Sequence, residues 1–162
     1  MAKVLRMTDI VTAITKKLTG EFDCPIYSDE VRENFKKPCF FIAFSIVVTP
    51  QTVNFCEKEV TVTLTYFPKD DMRDEIHYLD VFDRIHMLFP IGLKAGERFI
   101  HINDISEDRV GEDQDILQIT LVFNYLETTG HDAGEGQAEL MGDLSLRVVN
   151  KESRKEDTIW QN

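Results

Sequence analysis

The sequence predicts an α+β fold: a mainly antiparallel β-sheet with two main α-helices packed beside it, followed by a C-terminal extension. Three observations predict it. Residues 60–67 alternate Val60, Val62, Leu64 and Tyr66 with Thr61, Thr63, Thr65 and Phe67, the period of a strand with one buried face. Just beyond, the period becomes that of a helix, with Tyr78, Val81, Phe82, Ile85, Leu88 and Phe89 on one stripe and Arg73, Asp74, Asp80 and Arg84 away from it. The elements run helix, strands, helix, strands, and long strands joined by tight turns with helices gathered beside them make an α+β domain.

Taken in order, Thr8 or Asp9 can cap a first helix that runs to about Leu18, with Ile10, Val11, Ile14 and Leu18 on one face and Gly20 as its stop. Pro25, Ile26 and Tyr27 suggest a short edge strand, and 29–37 a charged loop or single helical turn broken by Pro38. Residues 39–48 are the most apolar run. Phe40, Ile42, Phe44, Ile46 and Val48 take one face; Phe41, Ala43 and Val47 take the other. A strand apolar on both faces is central, or is covered on its second face by a helix or a partner subunit. Thr49, Pro50 and Gln51 form a turn, and the next strand begins near Val53.

Pro68 and the charges at 69–71 stop that strand, because proline has no N–H for the ladder. The second helix starts from Met72 and ends at Pro90 and Gly92. Residues 93–96 read as a turn and 98–105 as a strand. A charged loop of six acids and one arginine follows at 104–115. The last confident strand is 116–126, with Leu117, Ile119, Leu121, Phe123 and Tyr125 facing one way and Gln118, Thr120 and Asn124 the other.

The composition shifts at Gly130. Four of the eight glycines lie between Gly130 and Gly142, so residues 1–129 read as the domain and 130–162 as a glycine-rich linker and arm. Within the arm, Leu144, Leu146 and Val148 alternate with Ser145, Arg147 and Val149, a strand pattern without a neighbour in sequence. The expectation is disorder in the free protein and a strand after docking. Leu144, Ser145, Leu146, Arg147, Val148 and Val149 are thus the candidate partner-binding residues.

Composition narrows the function classes. The chain has 162 residues, is 43% hydrophobic with 11 Phe, and carries a net charge of −11. That length suits one domain with a real core. Strong acidity repels phosphate and argues against nucleic-acid binding. No apolar run reaches the roughly 18 residues of a membrane span, and residues 1–6 lack the apolar core of a signal peptide. Cys24, Cys39 and Cys56 are odd in number and widely spaced, so reduced packing residues are the expectation.

No catalytic motif is present: no Gly-x-Ser-x-Gly, no phosphate loop, no Gly-x-Gly-x-x-Gly. His77 and His86 stand nine apart on one helix, His101 sits in a strand and His131 in the linker, so no metal site is expected. The acids at 104–115 lack EF-hand spacing. Asp70, Asp71, Asp74 and Glu75 suit the start of a helix, whose dipole favours negative charge. No cofactor is expected.

Four segments carry a family resemblance: 7–11 (MTDIV), 25–31 (PIYSDEV), 37–42 (KPCFFI) and 60–68 (VTVTLTYFP). Together they resemble the phage tail terminator (tail completion) proteins of Gram-positive phages, defective prophages and contractile, bacteriocin-like tail particles. The resemblance covers about 7–129 and rests on structural rather than catalytic motifs. It implies a structural protein, not an enzyme. It implies a small α+β subunit forming a hexameric homo-oligomeric ring at the head-proximal end of the tail tube. There it would stop tube polymerisation and meet the tail tube protein and a connector or sheath protein. Assembly would occur in the bacterial cytoplasm. The alternatives are another phage structural protein, such as a head–tail connector or tube subunit, and a small enzyme built on scattered carboxylates.

Overall fold

A computed structural model of the protein describes residues 4–28 and 33–130. The described elements are α1 (Met7–Glu21), β1 (Ile26–Ser28), β2 (Cys39–Pro50), β3 (Phe55–Phe67), α2 (Glu75–Leu88), β4 (Gly92–Ala95), β5 (Arg98–Val110) and β6 (Ile116–Thr128). They form one six-stranded sheet in the order β1-β2-β3-β6-β5-β4. Every pairing is antiparallel except β1 with β2. The α+β reading therefore holds.

The core lies between one sheet face and both helices. Val60, Val62, Leu64 and Tyr66 of β3 and Leu117, Ile119, Leu121, Phe123 and Tyr125 of β6 point into it. Ile10, Ile14 and Leu18 of α1 and Tyr78, Val81 and Ile85 of α2 meet them. Each such fully buried side chain stabilises the fold by about 1.5–3 kcal/mol relative to exposure. The opposite face of β3 and β6 carries Thr61, Thr63, Thr65, Gln118 and Thr120, all half-buried. An aromatic group of Tyr27, Phe35, Phe41 and Phe67 packs on that face at the β1 end.

Several boundaries differ from the sequence reading. Arg6 caps α1, and Asp9 accepts the Arg6 backbone N–H at 3.4 Å. The helix passes through Gly20 to Glu21, and Phe22 closes it by donating its N–H to the Leu18 carbonyl at 2.8 Å. The second helix starts at Glu75 rather than Met72, because the Asp74 carboxylate accepts the His77 N–H at 2.7 Å and so caps it there. Phe82 is half-buried, not fully buried as its place on the stripe suggests. The turn expected at 93–96 is mostly strand: Gly92 to Ala95 pair with His101 to Arg98.

The largest correction concerns 104–115. β5 runs on to Val110 and pairs with β6 as far as Val110 opposite Ile116, leaving only 111–115 as the turn. The apolar alternation that ends at Ile102 had hidden this. A bulge between Ile102 and Asp104 supplies one extra residue, Asn103, and resets the phase. Ile105 thereby returns to the core side opposite Leu121, and Asp104 faces away beside Val122. The charges are held in place, with Arg109 4.0 Å from the Tyr78 ring centre and 3.4 Å from Glu75.

Candidate interaction surfaces

The described residues offer little chemistry. Among them no group of three or more His, Cys, Asp or Glu is placed to hold a metal ion. Cys39 and Cys56 are buried and Cys24 half-buried, all as free thiols. Burial, then the neighbouring Cys24, pushes the Cys39 thiol up to about 11, so it is a poor nucleophile. Burial likewise raises Tyr66 to about 12, and its hydroxyl lies 3.0 Å from His77 Nε2. Tyr78, raised chiefly by burial, donates its hydroxyl to the Asp115 carbonyl at 2.6 Å and anchors the β5–β6 turn on α2.

Among the described residues the one buried carboxylate is Glu127. It accepts Arg98 Nη1 at 2.7 Å and the backbone N–H of Leu5 at 3.0 Å, and Arg98 Nη2 donates to the Leu126 carbonyl at 2.8 Å. This ties the segment before α1 to β5 and β6, which is a structural task. Sequence reasoning missed it, because a lone Glu at a strand end carries no signal of its partner.

What the domain does offer is uncovered apolar surface. The apolar run predicts that β2 is central, or covered on its second face by a helix or a partner subunit. Its first four residues are buried, but from Ser45 to Pro50 it is exposed on both, with Ile46, Val47 and Val48 44%, 54% and 51% exposed. The reason is its place in the sheet: β1 pairs only with Phe40, Phe41 and Ile42. Beyond them, among the described residues, β2 is the sheet edge. Val53 and Phe55 extend the exposed apolar end around the β2–β3 turn.

The other sheet edge mirrors this. β4 covers β5 only over Arg98 to His101, and beyond Ile102 the outer side of β5 has no strand beside it among the described residues. Beside the bulge lies a cavity of about 280 Å³ lined by Phe82, His86, Pro90, Ile102, Asn103, Asp104 and Ile105. A third surface is α2 itself. Ile76, Leu79 and Met87 form a second apolar stripe on its solvent side. Alternation and periodicity list these residues as apolar; only the neighbours decide that they stay uncovered.

The candidate partner-binding residues Leu144, Ser145, Leu146, Arg147, Val148 and Val149 lie outside the described residues. Among the described residues no helix is long and apolar enough to cross a membrane.

No curated protein matches the chain in sequence. Among solved structures, a chain from the virion of a native gene transfer agent (GTA) particle is similar with a TM-score of 0.48 and 11% identity, over 72% of this chain and 92% of its own. A second solved chain is similar with a TM-score of 0.46 and 11% identity, over 76% of this chain and 95% of its own. At these values neither likeness bears on function. The family comparison is more telling: the sequence model of the phage tail terminator protein family matches residues 9–135. That span holds all six strands, all of α2 and all of α1 but Met7 and Thr8, and the family is a structural one. The chain belongs to the phage tail terminator protein family and is a structural component of a phage tail.

Proposed function

We propose that this protein is a ring-forming tail terminator. Six copies cap the head-proximal end of the tail tube, end its polymerisation and present a surface to the connector or the sheath. The observation that carries the reading is the family match over 9–135, which takes in the whole described sheet rather than a fragment. The number six follows from the family resemblance.

Features of the domain support the reading. Among the described residues two different sheet edges lie open, as a head-to-tail contact between copies requires. The solvent-side stripe of α2 suits a further tail protein above the ring. A net charge of −11 keeps DNA in a lumen from sticking to the wall. Leu144 to Val149 add a strand to a sheet edge of a neighbouring tail protein, and assembly takes place in the bacterial cytoplasm.

Particles lacking this protein should show tubes of uncontrolled length by negative-stain microscopy. Normal tube length in the deletion overturns the terminator reading. Light scattering on the purified chain separates the neighbouring possibilities: a closed ring fits a terminator, whereas open-ended fibres mark a tube subunit. Truncation after Thr129 tests the arm. A truncated chain that caps tails and binds its neighbours as well as the full chain removes any role for 144–149.

A further inference from the structure

The two open sheet edges are complementary to each other, and this identifies the contact between copies. The inference rests on the ring reading and specifies its interface.

The edges first. Phe40 donates its N–H to the Pro25 carbonyl at 3.1 Å, so even-numbered residues of β2 direct their backbone groups away from β3. Phe44, Ile46 and Val48 therefore present donors and acceptors along the open edge that no strand among the described residues pairs. On β5, Ile102 donates outward to the Ile91 carbonyl at 3.0 Å. Past the bulge, the residues sharing its face are Ile105, Glu107 and Arg109, and their backbone groups point outward, with the Arg109 N–H donated to the Asp108 carboxylate at 2.8 Å. β2 and β5 run antiparallel in the sheet, because β2 opposes β3, β3 opposes β6 and β6 opposes β5. Laid side by side, β2 of one copy and β5 of the next continue the sheet antiparallel, core face to core face.

The covers are staggered in a matching way. Among the described residues, β1 covers β2 at its first residues and leaves 43–50 open; β4 covers the start of β5 and leaves 103–110 open. The open stretches are of equal length and lie at opposite ends of the sheet. A neighbour displaced along the strands brings them together, and such displacement is what a tilted, closing sheet needs.

Charge and shape select this pairing over the symmetrical ones. Residues 43–50 carry no charge, whereas 103–110 carry Asp104, Glu107 and Asp108 with only Arg109 against them. Two β5 edges would set carboxylates against carboxylates, which is destabilising. β2 on β2 would leave the β5 cavity unfilled. That cavity, about 280 Å³, falls below the roughly 300–1,000 Å³ of small-molecule sites and suits a few side chains. Full overlap of the stretches puts Val48 opposite Ile105, at the cavity mouth, and Ile46 opposite Glu107.

We propose that neighbouring copies join by pairing β2 residues 43–50 of one with β5 residues 103–110 of the next, with Val48 seated against the cavity beside the bulge.

The test is disulfide capture in the full chain, with Cys24→Ser as background. Paired positions in an antiparallel ladder stand about 4.5–5.5 Å apart at Cα, within disulfide reach. Val48→Cys and Ile105→Cys are made in separate chains. Oxidation of a mixture should give cross-linked pairs, and either variant alone should give none. Cross-linking of Val48→Cys with itself overturns the proposal in favour of a symmetrical β2 contact. Rings that form by light scattering without any mixed cross-link overturn the interface and leave the terminator reading standing. A chain that stays monomeric and gives no mixed cross-link overturns the interface. Ile46→Pro is the second variant: it deletes one outward donor without touching the β3 ladder, so the chain should keep its far-ultraviolet circular dichroism and lose the ring. An intact ring in that variant also overturns the proposal.

Discussion

Glu127→Ala tests how the N-terminal segment is fastened to the sheet. The carboxylate is 5% exposed and accepts hydrogen bonds from Arg98 at 2.7 Å, Leu5 at 3.0 Å and Thr128 at 3.1 Å. Removing it leaves the Leu5 N–H buried without its acceptor, which costs about 1–3 kcal/mol. Arg98 loses its partner too, but its side chain is 35% exposed and Nη2 keeps the Leu126 carbonyl. Water takes over much of that charge, so this part is worth about 1 kcal/mol. The expected loss is about 3 kcal/mol, or roughly a 10 °C fall in Tm for a domain of this size. Urea unfolding of the full chain at one protein concentration measures it, since assembly would otherwise shift the midpoint. Glu127→Gln keeps an acceptor for Leu5 and should cost about half as much. A double-mutant cycle with Arg98→Ala should return a coupling of about 1 kcal/mol. A loss below about 0.5 kcal/mol with zero coupling would refute the account of Glu127 as the fastening between the segment before α1 and the β5–β6 pair.

Other positions make separate claims. Ile85→Asp buries an unpaired charge in the core and should cost several kcal/mol, while Asp80→Ala, an exposed residue 4.0 Å from Arg84, should cost under about 0.5 kcal/mol; equal Tm shifts would mean the wrong helix face. Arg84→Ala should fall between them at about 1 kcal/mol, because Arg84 binds Glu21 at 2.8 Å and lies 4.2 Å from the Phe22 ring centre; the helix stripe alone assigns it no such role, and a neutral result in thermal melts would restore that view. Gly92→Ala would drive a methyl group into the Ile100 carbonyl oxygen within the β4–β5 pair, so a loss of about 3 kcal/mol or more is expected, and unchanged stability would show that the two strands sit farther apart. For pH, Cys39 moves from 9.0 up to about 11 and Tyr66 from 10.0 up to about 12. Between ordinary and raised values the unfolded chain has lost the proton that the folded chain keeps, so stability is full below about 9 and declines as pH rises toward 12. Cys39→Ala should flatten the decline from 9 to 11 in pH-dependent denaturation; an unaltered slope would sink the assignment.

Alternation and helical period were enough to read the sheet, both helices and nearly the whole core from the chain alone. Val60, Val62, Leu64, Leu117, Ile119, Leu121 and Phe123 are all fully buried, because a period of two leaves only one way to bury them together. The six-residue and nine-residue stretches at β2 and β3, 37–42 and 60–68, also carried the family resemblance that the match over 9–135 bears out. Where the sequence reading failed, the deciding interaction was remote. The strand at β5 looked finished at Ile105, since a bulge cannot be seen in a pattern that it interrupts; only pairing with β6 reveals it. β2 looked central, with cover by a helix or a partner subunit as the alternatives, because apolar content states what a strand prefers and not what lies next to it. Whether Ile46, Val47 and Val48 are inside or outside depends on how far β1 extends, and that is a property of the sheet. The sequence by itself therefore determined which residues are apolar, with what period, and hence the fold class and core. Tertiary structure alone decided which apolar residues lie uncovered among the described residues, because exposure is set by neighbours distant in the chain.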